Sequence, residues 1–277
     1  KSTNLVIAVH CEDEDIINKN LIEAKKKYGE NIPMSHHPKI RSEEACFVSS
    51  SNAIKLAKET GARLHVFHLS TAKELSLFQN DVPLKQKKIT SEVCTHHLWF
   101  NDNDYLEKGS KIKWNPSIKT KKDQKALWDG LNQDYIDVLA TDHAPHTRYE
   151  KSAPYLISPS GGPLVQHSLS ALLTCFHQKR ITLEKIVEKA CHNPSILFDI
   201  KDRGYLREGF FADLVIIDLQ KYYNVKKSNI LYKCGWSPFE NITFKGTVEK
   251  TFVNGQLAYD KGKISNKPTA RPLTYNR

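Results

Sequence analysis

Three short apolar runs, each closing on a side chain able to bind a metal, constrain this chain more than any other feature. Leu5–Val9 runs into His10-Cys11-Glu12-Asp13, Arg63–Phe67 closes on His68 before Leu69-Ser70-Thr71, and Asp137–Ala140 ends at Thr141-Asp142-His143-Ala144-Pro145-His146. The first reads as a short buried strand, the others as strands of similar length. Helical patterns lie between them. Ile16, Ile17, Leu21 and Ile22 recur at helical spacing over residues 13–27 before Gly29, and residues 43–60 read as a longer helix stopped by Gly61. Ile89–Cys94 reads as a further strand, followed by His96-His97, Asn115-Pro116 and a helix from Thr120 to Leu131. Such alternation predicts parallel βαβ units, a sheet covered by helices. In sheets of this kind the chemistry gathers at the C-terminal strand ends, where the loops converge.

The second half changes character. Ser160-Gly161-Gly162-Pro163 leads into a helical pair predicted over 164–179 and 182–191. From Gly204 the pattern becomes a turn, a strongly apolar strand over Ala212–Leu219, and a hairpin of Thr247–Val253 and Gln256–Tyr259 about Asn254-Gly255. This predicts residues 1–203 as the α/β part, 204–260 as a small β appendage and 261–277 as a partly ordered tail.

Composition narrows the function classes. With 39% hydrophobic and 26% charged residues in 277 positions, the chain has a globular balance. No run approaches the roughly 18 apolar residues of a membrane span, and Lys-Ser-Thr-Asn at the start lacks the layout of a signal peptide, so a cytoplasmic protein is expected. Six scattered cysteines without a C-x-x-C pair predict reduced thiols rather than a disulfide framework. The net charge of +10 permits nucleic-acid binding, but the lysines are dispersed with no aromatic-interleaved basic stretch. The same charge suits a small anionic substrate, or a merely solvated face.

Two imidazoles and a carboxylate at neighbouring strand ends form a nitrogen-and-oxygen donor set that suits zinc and, less selectively, manganese or cobalt. Singly, each residue is ambiguous: a histidine after a strand is commonly a hydrogen-bonded core or loop residue, and an aspartate there is commonly a turn former. Together, His10, His68 and Asp142 point to metal binding. Beside a metal-bound water, an aspartate such as Asp142 can take a proton and return it to a leaving nitrogen.

The segments quoted above, with Gly204-Tyr205-Leu206-Arg207-Glu208-Gly209-Phe210-Phe211-Ala212-Asp213-Leu214, resemble the amidohydrolase superfamily and, within it, the dihydroorotases. The resemblance runs from residue 4 to about 260, and Asp-His-Ala-Pro-His is its most specific part. It implies a (β/α)8 TIM-type barrel with a small β-sandwich and a site for two Zn2+ ions, with Mn2+ or Co2+ as alternatives. It further implies His10 and His68 as ligands from the fifth and sixth strands, and Asp142 as the eighth-strand ligand and proton shuttle. Asn115 would contact the substrate ring, His146 would grip the substrate carboxylate, and Ser160 and Gly161 would offer backbone contacts. The pairs His36-His37 and His96-His97 have no ligand counterpart and are expected in loops or behind the ligands. His192-Asn193-Pro194 resembles a structural turn.

The family's His-x-His pair and bridging carboxylate or modified lysine do not occur upstream of His10. The chain therefore reads as the C-terminal half of the barrel, strands five to eight, expecting a partner or missing segment for strands one to four. The reaction implied is the reversible interconversion of dihydroorotate and N-carbamoyl-L-aspartate in pyrimidine biosynthesis, with weak metal binding and negligible turnover expected of these residues alone. A homodimer is compatible with it; nucleic acid and membrane are not expected partners. The rivals are an allantoinase or dihydropyrimidinase type of cyclic amidohydrolase, and a non-catalytic scaffold. His146, suited to a substrate carboxylate, argues against the first; retention of His10, His68 and Asp142 argues against the second.

Overall fold

The computed structural model describes residues 3–276. The chain divides into two compact units, one of residues 1–165 and 231–238, the other of residues 166–230 and 239–277.

The first unit is built on four parallel strands in sequence order: β1 (Val6–Val9), β2 (Arg63–Val66), β3 (Ile89–Cys94) and β4 (Val138–Ala140). Its helices begin and end where local chemistry dictates. Asp13 accepts the Ile16 N–H to start Glu14–Tyr28, which stops at Gly29; Ser42 accepts the Ala45 N–H to start Glu43–Thr60, and left-handed Gly61 ends it. Thr120 and Asp123 form a reciprocal capping box at the head of Lys121–Asn132. Trp114, Leu98, Ile112, Ile118, Leu127 and Leu131 are among the largest fully buried side chains.

One expectation about this sheet fails. β1 is not a buried strand: Leu5 and Ile7 are 45% and 52% exposed, because β1 is the edge of the described sheet and pairs only with β2. An edge strand has apolar side chains and backbone groups with no neighbour on one side.

The second unit is an antiparallel sheet in the order β5 (Leu214–Asn224), β6 (Thr243–Val253), β7 (Gln256–Asp260), β8 (Lys263–Ile264). Helix Ser168–His177 lies against β6 so closely that a Cβ on Gly246 would sit 2.6 Å from Leu173 Cβ. This helix therefore groups with the antiparallel sheet, as does all of 166–203, whereas the sequence suggested a boundary at 204. The predicted helical pair also resolves differently: residues 164–167 are not helical, and Leu183–Val187 continues through a π turn, Glu188–His192, into Asn193–Leu197. His192-Asn193-Pro194 is thus helical rather than a turn. Pro194 supplies no N–H, and the widened π turn just before it admits the ring without ending the helix. The tail is tied down as well. Lys201 N–H donates to Thr274 O and Asn276 N–H to Asp199 O, each at 2.8 Å, about an Ile200–Tyr275 bridge.

Burial holds several imidazoles neutral. His37, enclosed between Trp114 O and Tyr155 OH, is pushed down to about 3; His97 goes to about 3 and His167 to about 4, from an ordinary 6.5. For a base whose folded pKa is depressed, the unfolded chain binds more protons between the two values, so stability present above pH 6.5 is lost as pH falls towards 3–4. The melting temperature is expected to fall steadily between pH 7 and 5 in calorimetry; a flat profile there would contradict the burial of these rings.

Candidate active site

Every candidate residue lies in the first unit, just beyond the C-terminal end of a parallel strand or in a loop facing those ends. His10 follows β1 directly, and His68 and Asp142 each stand two residues past β2 and β4. His68 and Asp142 adopt left-handed backbone, with φ of 36° and 45°. For non-glycine residues this conformation costs roughly 1–3 kcal/mol and persists where the surroundings over-determine it.

The two histidines meet. His10 Nδ1 lies 3.1 Å from His68 Nε2, with the rings edge to face at 4.9 Å. Two nitrogens bound to one tetrahedral zinc at about 2.0–2.1 Å would stand about 3.3 Å apart, so the pair is spaced to share one cation. Burial first, and then the neighbouring His10 ring, push His68 down to about 4, so that it has a lone pair to give near neutral pH. His68 Nδ1 is buried without a hydrogen-bond partner. The donor set thus fits a divalent metal of the borderline-soft kind.

Asp142 is near this pair without joining it; the three donors do not all fall within 4.8 Å of one another. Burial and then the charge of Glu92 push the Asp142 carboxyl up to about 6, opposed by His10. A carboxyl with that pKa can accept and release a proton near neutral pH. Glu92 itself is 3.1 Å from His65 Nε2, and the other nitrogen of that ring is 2.9 Å from Thr90 Oγ1.

Behind His10 stands Glu12. Its side chain is fully buried, with Oε2 3.2 Å from His10 Nε2 and 2.5 Å from Arg41 Nη1. Burial pushes this carboxyl up, but the His10 bond and the charges of Lys119 and Arg41 outweigh it and bring it down to about 2.

The facing loop is held by cations. Lys151 Nζ donates to Lys113 O, Pro159 O and Gly161 O, and Lys113 Nζ to Tyr155 O and Ser158 O. His146 Nε2–H donates to Ser160 O at 3.0 Å, so four successive carbonyls, 158–161, are engaged. Burial lowers Lys113 to about 8; burial and the Lys113 charge lower Lys151 to about 7. Gly161 N–H donates to Lys113 O at 2.8 Å, so both backbone groups of Gly161 are occupied and the backbone contact expected there is not free. Asn115 precedes a cis peptide to Pro116, and its Oδ1 is buried with no partner.

Three of the doubled histidines, His37, His96 and His97, are internal supports. His37 clamps Trp114 O and Tyr155 OH, and His96 stacks on Trp114 at 4.3 Å. Cys94, His96 and His97 bring donor atoms within 4.8 Å of one another in the interior, a grouping the cysteine spacing did not suggest. Glu12 and the lysine pair were also missed. For Glu12 a signal existed, since residues i and i+2 of an extended segment share a side.

Gly161 has φ 112°, and a Cβ there would lie 2.6 Å from Ala144 O. Gly161→Ala is expected to cost roughly 1–3 kcal/mol, read as a lowered urea midpoint, because backbone strain adds to the clash.

Comparison with known proteins agrees with this architecture. The amidohydrolase family profile matches residues 1–258. The chain is 32% identical to a dihydroorotase of Pyrococcus furiosus over 95% of its length and 56% of that protein's, and 34% identical to a dihydroorotase of Anoxybacillus flavithermus over 94% and 59%. Among solved structures it superposes on an L-hydantoinase (dihydropyrimidinase) from Arthrobacter aurescens with a TM-score of 0.86 at 28% identity, covering 94% of this chain and 58% of that one. The chain therefore spans less than two thirds of the length of these relatives. Fold and strand-end donors together define a TIM-barrel-type α/β protein of a generally metal-dependent class. The chain belongs to the amidohydrolase family. Among its described residues no helix is long and apolar enough to cross a membrane.

Proposed function

We propose that this chain carries the C-terminal half of a dihydroorotase barrel, strands five to eight, joined to part of a small β-sandwich. The substrate pair would be dihydroorotate and N-carbamoyl-L-aspartate. The observation that carries the reading is the approach of His10 Nδ1 and His68 Nε2 to 3.1 Å across adjacent strand ends. Dihydroorotases among the curated relatives support the substrate class.

His10 and His68 would hold one divalent cation, with Asp142 serving a second; zinc suits the donors best. Bound metal would polarise the ring amide carbonyl and acidify the attacking water towards pH 7. Asp142 takes the water's proton as oxygen bonds to the carbonyl carbon, then delivers it to the ring nitrogen as the C–N bond breaks. His146 holds the substrate carboxylate through Nδ1, since its Nε2 is committed to Ser160 O. Asn115 Oδ1, buried and unpartnered, accepts from a ring N–H; a polar atom desolvated without a partner is satisfied when a complementary ligand binds. Lys113 and Lys151 hold the Ser160 loop and add positive potential for an anionic substrate.

A hydantoinase-type reading has one specific support, the superposition on the Arthrobacter enzyme. Turnover assays of the 277 residues, alone and joined to the amino-terminal portion that the longer relatives carry, separate the two. Dihydroorotate is expected to be hydrolysed in preference to hydantoin and allantoin, and the reverse order would overturn the assignment. In the joined protein Asp142→Asn is expected to lower kcat by at least about 100-fold, whereas His146→Gln raises KM with a smaller change in kcat.

A further inference from the structure

We infer that Glu12 is a positioning residue for the candidate metal centre: it fixes the tautomer of His10 so that the bare nitrogen is the one facing His68. The inference rests on the metal-site reading above and concerns a residue outside the ligand set.

The argument is one of hydrogen-bond inventory. Glu12 Oε2 stands 3.2 Å from His10 Nε2, and an ionised carboxylate offers only lone pairs, so a proton on Nε2 is favoured over one on Nδ1. A neutral imidazole has one N–H, which leaves His10 Nδ1 with a lone pair. Nδ1 is the atom that lies 3.1 Å from His68 Nε2. The order Glu12 Oε2, His10 Nε2, His10 Nδ1, His68 Nε2 is therefore a directed chain, and its direction is set at the carboxylate end. His10 needs such help. Its side chain is 44% exposed and it leaves β1, the edge strand, so packing alone does not fix the ring.

Glu12 is in turn rigid. Its side chain is wholly buried and Arg41 Nη1 grips the same Oε2 that meets His10. Ser117 Oγ donates to Arg41 O at 2.9 Å, so the residue holding Glu12 is itself tied to the segment that carries Asn115. Oε1 has no hydrogen-bond partner, so the oxygen that Arg41 holds is also the one nearest His10. Were Glu12 only the counter-ion of Arg41, nothing would require the shared oxygen to stand beside the imidazole. A carboxylate that orients a metal-binding histidine typically contributes 10–100-fold in metal affinity.

The test has two readouts on the 277-residue chain. Nitrogen-15 NMR of the metal-free protein, with His10 assigned by comparison with His10→Ala, reports which ring nitrogen is protonated. The expected result is a proton on Nε2 in the wild type, a mixture of tautomers in Glu12→Ala, and restoration towards Nε2 in Glu12→Gln, whose amide oxygen can still accept. Zinc titration against a chelator is expected to show an affinity 10–100-fold lower in Glu12→Ala, with a smaller loss in Glu12→Gln. A wild-type His10 protonated on Nδ1 overturns the inference with no variant needed, which keeps it falsifiable should Glu12→Ala fail to fold. A Glu12→Ala affinity within about twofold of wild type overturns it while leaving the metal site standing. Absence of zinc binding in every form would instead count against the proposed metal site, and the tautomer spectrum would still decide the role of Glu12.

Discussion

Parallel pairing in sequence order does most to make a site here. Because β1 to β4 all run the same way, their C-terminal ends lie side by side, and neighbouring strands stand only about 4.8 Å apart. A side chain one or two residues beyond each end then has few directions open to it that do not meet its neighbour. His10 and His68 converge for this reason, although 58 residues separate them along the chain. Register contributes as much as direction: Val9 pairs with Val66, so His10 and His68 emerge one step out of level and reach each other edge to face.

The strand ends would scatter their side chains without support from behind, and that support is electrostatic as well as steric. Glu12 and Arg41 hold His10 from one side. On the loop opposite, buried Lys113 and Lys151 bind four carbonyls of residues 155–161, and Lys151 also binds that of Lys113. A lysine surrounded by carbonyl dipoles has its protons satisfied, but its charge is only partly neutralised. Both ammonium groups are lowered in pKa, chiefly by burial.

What could be read from the sequence was whatever depends on neighbours along the chain. β3 spans Ile89–Cys94 as its apolar run suggested, and the helix over 43–60 begins and ends at Ser42 and Gly61 because capping is local chemistry. Extents failed where local pattern was weak. β5 continues through Gln220-Lys221-Tyr222-Tyr223-Asn224, a polar stretch whose pairing resumes after a register shift between Asp218 and Tyr222 that no periodicity announces. The placement of His10 and His68 at strand ends was legible, since each follows an apolar run. Their separation, the engagement of Gly161 and the lysine clamp were not, because each is fixed by residues more than ten positions away or by the path of a loop.

The backbone at the site shows how these levels connect. His68 and Asp142 both leave their strands in a left-handed turn that glycine would adopt more easily. A glycine would relieve the strain but carry no donor. The turn is held by neighbouring contacts: Leu69 N–H donates to Glu92 O at 2.8 Å directly after His68, and Trp114 Nε1–H reaches Asp142 O at 3.4 Å. Trp114 in turn carries the His96 stack and gives its carbonyl to His37. Buried His37 and His96 therefore contribute to the site without facing it. They anchor the tryptophan that holds the Asp142 turn, and their neutrality in the interior lets them do so without bringing a second set of charges to the donors.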